Sequence, residues 1–271
     1  MNKPSGDKAT LKSEVTEHGN GEIRKFFDDM SSGRNETINA NPVINYEQLL
    51  RGRTVLDLLE VKPGERILDI GCGNARDIIF IVQMGAQVVG VDISEGMVKA
   101  AQEEVTSKSI KGVTLQVGDA TALEFPDAYF DKVLCSEVVE HIPNAAKAFS
   151  EMRRVLKTGG RLVISTPNKV SWYGWERYWL WEKILRRKWP HPCDEWRSMA
   201  EVVNLIENSG LKVLRKKTVC FIPGFIVTYF VLPRMLQSLV VRLVGAVEPF
   251  LRRLAPNRGY TVCVSSVRDE W

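Results

Sequence analysis

From residue 66 onward, short apolar runs alternate with stretches in which apolar side chains recur every three or four positions. The runs at 66–70, 88–92, 113–118, 131–136 and 161–166 are brief and rich in Val, Ile and Leu, as strands covered on both faces are. Between them, 75–84, 95–107 and 144–156 carry helical spacing. Gly85 and the turn Lys157-Thr158-Gly159-Gly160 supply stops. An earlier helix is predicted over 42–60, opened by Pro42 and closed by Lys62-Pro63-Gly64. Its apolar positions include Tyr46, Leu49, Leu50, Val55, Leu56, Leu58 and Leu59. Strand and helix in alternation predict an α/β fold, with a mostly parallel sheet between two layers of helices.

The alternation breaks after 166. Residues 167–197 read as a cap insertion, 198–209 as a helix stopped by Gly210, and 212–219 and 259–268 as two further strands. That makes seven strands. A second insertion spans 220–258. Its uncharged run, 218–233, is shorter than the roughly 20 residues that span a bilayer and is broken by Pro223, Gly224 and Pro233. From Arg234 the pattern becomes amphipathic. At about 100° per residue, Arg234, Gln237, Ser238, Arg242, Glu248, Arg252 and Arg253 share one face. Leu236, Leu239, Val240, Leu243, Val244, Val247, Phe250, Leu251 and Leu254 share the other. Such a helix suits a membrane interface, its own core or a second subunit. At the other end, 1–40 is expected to be largely disordered or irregular, its first twenty residues being polar and mixed in charge. Residues 41–271 are expected to form one domain.

Composition narrows this little. The 271 residues are 44% hydrophobic and 26% charged, ordinary for a globular chain long enough to bury a full core. A net charge of +4 does not by itself imply nucleic acid. The five cysteines form no Cys-x-x-Cys pair, so neither a zinc site nor a disulfide framework is expected. With no apolar signal segment among the first twenty residues, a cytoplasmic setting is expected.

Chemistry first shows in Ile67-Leu68-Asp69-Ile70-Gly71-Cys72-Gly73-Asn74-Ala75, followed by Val88-Val89-Gly90-Val91-Asp92. An apolar strand ends in a glycine turn, and a second strand ends in an acid about 20 residues later, the layout of a nucleotide-binding βαβ unit. Gly71 and Gly73 let the backbone turn and approach a ligand, and Asp92 can accept both ribose hydroxyls. A dinucleotide site wants a third glycine where this chain has Arg76, and Asp69 would repel a pyrophosphate. A cationic nucleoside such as S-adenosylmethionine suits the acid. The stretch Asp69-x-Gly71-x-Gly73 resembles the first motif of the class I S-adenosylmethionine-dependent methyltransferases.

Three further motifs carry the same resemblance. Gly118-Asp119-Ala120 ends the third strand, where the family likeness implies that Asp119 accepts the adenine amino group, with Ile93 and Ala120 flanking the ring. Asp131-Lys132-Val133-Leu134-Cys135-Ser136-Glu137-Val138-Val139-Glu140-His141-Ile142-Pro143 resembles the fourth-strand motif of the ubiquinone-type small-molecule O-methyltransferases, within the methyltransferase type 11 family. Gly159-Gly160-Arg161-Leu162-Val163-Ile164-Ser165-Thr166-Pro167-Asn168 closes the fifth strand as in methyltransferases of quinone, glycan and lipid tailoring. The likeness implies a Rossmann-like fold of seven strands with the last one antiparallel, and S-adenosyl-L-methionine as cofactor. It implies a cofactor set of Asp69, Gly71, Gly73, Asp92, Ile93, Asp119, Ala120, Ser136 and Glu137. His141, whose usual pKa suits proton transfer at neutral pH, is the candidate base. Glu137, Glu140 and His141 also resemble a divalent-ion motif of some ubiquinone-pathway enzymes, but acids in such turns often face solvent or cap the next element, and no metal is assigned.

The acceptor is read from elsewhere. Six of the seven tryptophans lie between 172 and 196, interleaved with Arg177, Lys183, Arg186, Arg187 and Lys188. In this family the segment after the fifth strand forms part of the acceptor cap. Indoles with cations suit a membrane interface, and equally a cap packed on its own domain. No nucleic-acid module is recognisable. A small or lipid-like acceptor is expected, methylated at a hydroxyl, with peripheral membrane contact through 172–189 and 234–254. An N- or C-methyltransferase of a soluble metabolite and a non-catalytic membrane-recruited module are the alternatives.

Overall fold

A computed structural model describes residues 20–31, 41–188, 193–222 and 232–269. Seven strands form one sheet in the order β3-β2-β1-β4-β5-β7-β6. In chain order they are β1 Arg66–Ile70, β2 Gln87–Asp92, β3 Val113–Val117, β4 Phe130–Ser136, β5 Leu156–Pro167, β6 Lys212–Val219 and β7 Thr261–Val267. Strands β1 to β5 pair in parallel, and β7 runs antiparallel to both β5 and β6. The Rossmann-like methyltransferase topology is therefore present, with its reversed last strand.

Alternation along the strands explains the two helical layers. Leu68, Val133, Leu162 and Val262 point to one face, against α5 (Ala145–Val155) and α7 (Met199–Asn208). Their neighbours Ile67, Leu134, Val163 and Cys263 point to the other. There they meet α2 (Pro42–Leu59), α3 (Arg76–Gln83) and α4 (Glu95–Ser107). Successive strand side chains face opposite ways, so each apolar run supplies both cores. Helix α2 starts where expected: the Asn41 side chain accepts from the backbone N–H groups of Val43 and Ile44, and Pro42 occupies the first turn.

Two expectations are corrected. Residues 20–30, within the segment expected to be irregular, form a helix, α1. Asp28 on α1 accepts from Ser94 Oγ at 2.5 Å and Gly96 N at 2.9 Å, which ties it to the start of α4. Ile23, Phe26, Phe27 and Met30 recur at helical spacing, and Ile23 is buried, so a short amphipathic helix is stabilised by what it lies on. The remainder of 1–40, Trp189 and most of the uncharged 218–233 run lie outside the described residues. Lys157-Thr158-Gly159-Gly160, expected as a turn, belongs to β5, where Leu156 pairs with Phe130 ahead of a register shift.

The amphipathic segment is helical over Arg234–Leu254 (α8), as its period predicts, and packs on the domain through Val240, Val241 and Val244 together with two polar side chains. Gln237 and Glu248 are buried, whereas Leu243 and Phe250 are 61% and 62% exposed. Glu248 accepts from Tyr46 Oη and from the Cys220 backbone N–H, so a buried acid of α8 fastens it to α2 and to the end of β6.

In the cap, Trp172–Trp175 (α6) continues into a π-helical stretch, Glu176–Ile184, that periodicity did not predict. Arg177 explains much of its local order. Its guanidinium pairs with Asp194 at 2.8 Å and lies 4.5 Å from the centre of the Trp196 ring. The tryptophans thus divide: Trp196 belongs to a buried cluster with Tyr173, while Trp175 and Trp179 are exposed.

Candidate functional site

The strand order reverses between β1 and β4, where the crevice beyond the carboxyl ends of an open parallel sheet takes its ligand. A cleft of about 1120 Å³, its open mouth included, lies there. Asp69, Gly71, Gly73, Asp92, Ile93, Asp119, Ala120, Ser136, Glu137 and His141 all line it. They come from the ends of four different strands and the loops that follow.

The two glycines do different work. Both have positive φ, 69° at Gly71 and 50° at Gly73. A Cβ on Gly71 would meet Val138 Cγ2 at 2.2 Å, so this turn is pressed against the β4 loop. At Gly73 a Cβ would meet nothing within 4 Å. Gly71 therefore lets the wall pack, and Gly73 keeps the cavity open beside its backbone. The Gly73 N–H donates to Asp92 Oδ2 at 2.9 Å, and Ser94 N–H donates to Oδ1 at 3.0 Å, which holds the carboxylate in place at the end of β2. Gly118 N–H donates to the Asp92 carbonyl at 2.9 Å, bringing Asp119 alongside.

The electrostatics favour a cation. Burial pushes the Asp69 carboxyl well up, and the neighbouring carboxyls of Asp77 and Asp92 push it further, with Arg51 opposing. Acids crowded in a poorly solvated cleft are relieved by a positive ligand and aggravated by a phosphate. Arg51, from α2, reaches Asp77 at 3.4 Å and donates to Ser136 Oγ. This side chain, and the Gln48, Asn20 and Phe27 that also line the cleft, escaped the sequence reading. Arg51 sits four residues from Glu47, and both are buried on α2.

On the β4 side, Glu137 adopts a left-handed φ of 57° and accepts from Ser165 Oγ at 3.0 Å. Burial drives its carboxyl well above the usual range, with Glu140 and Glu47 adding to the effect. Glu140 is likewise raised by burial, to about 8, while it accepts from Thr166 Oγ1 at 2.9 Å. Among the described residues, no three His, Cys, Asp or Glu side chains gather as a metal set.

His141 closes the 3₁₀ turn Val139–His141, and the cap buttresses that turn. Glu195 N–H donates to the Glu140 carbonyl at 2.9 Å, and Arg197 Nη1 to the Val139 carbonyl at 2.8 Å. The ring itself meets the Cys193 carbonyl through Nδ1 at 3.2 Å and the edge of Phe27, 5.2 Å between centroids. A carbonyl can only accept, so a neutral ring in this contact would donate through Nδ1, with Nε2 3.9 Å from Glu140 Oε1. Asn168, in the Ser-Thr-Pro-Asn ending, is structural: its amide donates to the carbonyls of Asn257 and Gly259, tying the root of the cap to the approach to β7.

A family model described as a methyltransferase domain matches residues 61–215, more than half of the chain. The chain belongs to the class I S-adenosylmethionine-dependent methyltransferases. The enzyme is 31% identical over 167 residues to the demethylmenaquinone methyltransferase of Listeria monocytogenes, which covers 60% of this chain and 69% of that protein. It is 36% identical over 119 residues to the aklanonic acid methyltransferase of a Streptomyces species, covering 43% and 54% respectively. Among solved structures, a Thermotoga maritima methyltransferase, described as a possible histamine N-methyltransferase, superposes with a TM-score of 0.64 at 19% identity, covering 91% of this chain and 100% of that one. The cofactor of the methyltransferase is S-adenosyl-L-methionine. Its cationic sulfonium and ammonium fit the acidic cleft that Asp69, Asp77 and Asp92 build.

Proposed function

We propose that this methyltransferase methylates a hydroxyl of a small or lipid-like acceptor, in the chemical range of quinone precursors, lipids and lipid-linked glycans. The observation that carries the reading is the position of His141 in the same cleft as Asp69, Asp92 and Asp119, with its Nδ1 set against the Cys193 carbonyl. Similarity to enzymes named for a demethylmenaquinone and for aklanonic acid supports an acceptor of the quinone or polyketide kind.

The cofactor supplies an electrophilic methyl group on a positively charged sulfur. The protein's part is to hold, orient and deprotonate. Asp92 would accept the ribose hydroxyls and Asp119 the adenine amino group, and Ile93 and Ala120 would flank the ring. Gly71 and Gly73 shape the wall, and Asp69 would serve the cationic end. Ser136 and Glu137 face the gap between cofactor and acceptor, while His141 Nε2 takes the hydroxyl proton as the oxygen attacks. Alignment contributes most to such a displacement. A positioned base adds a factor of about 10² to 10⁴.

The lipid-like part of this reading, and the peripheral membrane contact that accompanies it, are supported by exposed Trp175 and Trp179 and by α8. Among the described residues, no helix is long and apolar enough to cross a membrane.

Incubating the protein with methyl-labelled cofactor and a quinone-precursor and lipid extract, followed by product mass determination, identifies the acceptor. On that acceptor, His141→Ala is expected to lower kcat by about 10² or more while leaving S-adenosylhomocysteine affinity within about twofold. Full activity in His141→Ala would assign methylation at nitrogen or carbon instead.

A further inference from the structure

The apolar stripe of α8 faces away from the protein. Leu236, Leu239, Leu243, Val247, Phe250 and Leu254 follow one another at intervals of three or four residues, and all are between 40% and 66% exposed. At 1.5 Å per residue they make a ridge about 27 Å long. An apolar helix edge of this length is left uncovered while Gln237, Val244 and Glu248 are buried. Helix α8 is held to the domain by Val240, Val241 and Val244 in one apolar cluster and by Glu248, which accepts from Tyr46 and Cys220.

Charge selects the occupant. Between Pro233 and Arg258 the sole acid is Glu248, which is buried and paired with Arg252 at 2.9 Å. Arg234, Arg242, Arg253 and Arg258 are exposed. Arg242 and Arg253 lie about 80–100° round the helix from the centre of the stripe, where cations flank an in-plane apolar edge. A second copy docked on this ridge would bring arginine towards arginine. An anionic surface would not.

The cap adds a second anchor. Trp175 and Trp179 stack at 6.3 Å, 58% and 49% exposed, with Lys183 Nζ 4.7 Å over the Trp179 ring. The other side of this segment, Tyr178 and Trp181, packs with Val240 and Val241 of α8 around one shared apolar cluster. Indole faces beside a cation suit the headgroup layer.

We infer that α8, with the exposed Trp175–Trp179 pair beside it, lies in the plane of an anionic lipid bilayer, with the Leu243–Phe250 ridge sunk among the acyl chains and the arginines at the phosphates. Through Tyr46 the helix rests on α2, whose Gln48 and Arg51 line the cleft, so the membrane contact sits one helix away from the site. This placement rests on the peripheral membrane contact proposed above and is tested without turnover, so its failure would leave the methyl-transfer reading standing.

The test is co-sedimentation of the full chain with vesicles of phosphatidylglycerol and phosphatidylcholine, alongside pure phosphatidylcholine vesicles. Wild type is expected to bind the mixed vesicles, to bind neutral ones about tenfold less, and to be released by salt. Leu243→Glu/Phe250→Glu is expected to lower binding to mixed vesicles by about tenfold or more while S-adenosylhomocysteine affinity and melting temperature stay unchanged. Three results would overturn the inference: no binding of wild type, equal binding of the variant, or a wild-type dimer in solution that the variant converts to monomer.

Discussion

The Asn20 side-chain amide donates to Asp119 Oδ2 at 3.0 Å, so a residue of α1 sits on the carboxylate proposed for the adenine amino group. Asp119 Oδ1 is meanwhile engaged by the Thr121 backbone N–H at 2.7 Å and hydroxyl at 2.8 Å. The Asn20 donor thus stands where an exocyclic amine would donate, and cofactor binding has to displace or share it. Asn20→Ala is expected to tighten S-adenosylhomocysteine binding by up to about tenfold, the worth of one competing bond to a charged acceptor. Asp119→Ala is expected to weaken it by about tenfold or more. Calorimetric titration of both variants checks this, and weaker binding by Asn20→Ala would show that the amide assists the cofactor.

Asp69 makes cofactor binding pH-dependent. Burial, with Asp77 and Asp92 nearby, raises its carboxyl, so part of the population holds a proton where an ordinary aspartate is ionised. A cationic ligand favours the ionised form, and binding to the protonated form must therefore expel that proton. Affinity for S-adenosylmethionine is expected to rise as pH increases through the range in which Asp69 titrates. Asp69→Asn should flatten this rise and bind more weakly at high pH. Titrations in buffers of differing ionisation enthalpy report the released proton, and a wild-type profile identical to that of Asp69→Asn would remove Asp69 from the role.

Gly71 and Gly73 separate folding from binding. Gly71→Ala places a methyl group 2.2 Å from Val138 at a φ of 69°. Overpacking of about 1–3 kcal/mol adds to a left-handed cost of about 1–2 kcal/mol. Gly73→Ala carries only the second cost, because its methyl group would meet nothing within 4 Å of the protein. Thermal melts are expected to rank Gly71→Ala well below Gly73→Ala. S-adenosylhomocysteine titration should show Gly73→Ala folded and weakened in binding.

That the proposed cofactor residues line one cleft was legible in the sequence because strand ends place them. A parallel strand that finishes in an acid or a glycine delivers that residue to one edge of the sheet, and Asp69, Asp92, Asp119 and Ser136 arrived there from four separate runs. What the strands do not deliver was missed. Arg51 reaches the cleft from a helix read for its leucines, and Asn20 and Phe27 come from a segment expected to be irregular although Ile23, Phe26, Phe27 and Met30 keep helical spacing. Helix α8 shows a different limit. Its period gave the helix and its two faces, but not which positions are buried. That choice was made by Val240, Val241 and Val244 joining an apolar cluster and by Glu248 finding Tyr46 and Cys220, partners about 200 and 28 residues away in sequence.

Titration of purified protein with S-adenosylhomocysteine, wild type against Asp92→Ala, bears on the cofactor site as a whole. Asp92 is the acid proposed to bind the ribose, and Gly73 N–H and Ser94 N–H fix its carboxylate. Saturable binding is expected for the wild type and a loss of about 100-fold or more for Asp92→Ala, as two bonds to a charged acceptor predict. Equal affinity in the two proteins would contradict the assignment of this cleft to the methyl donor.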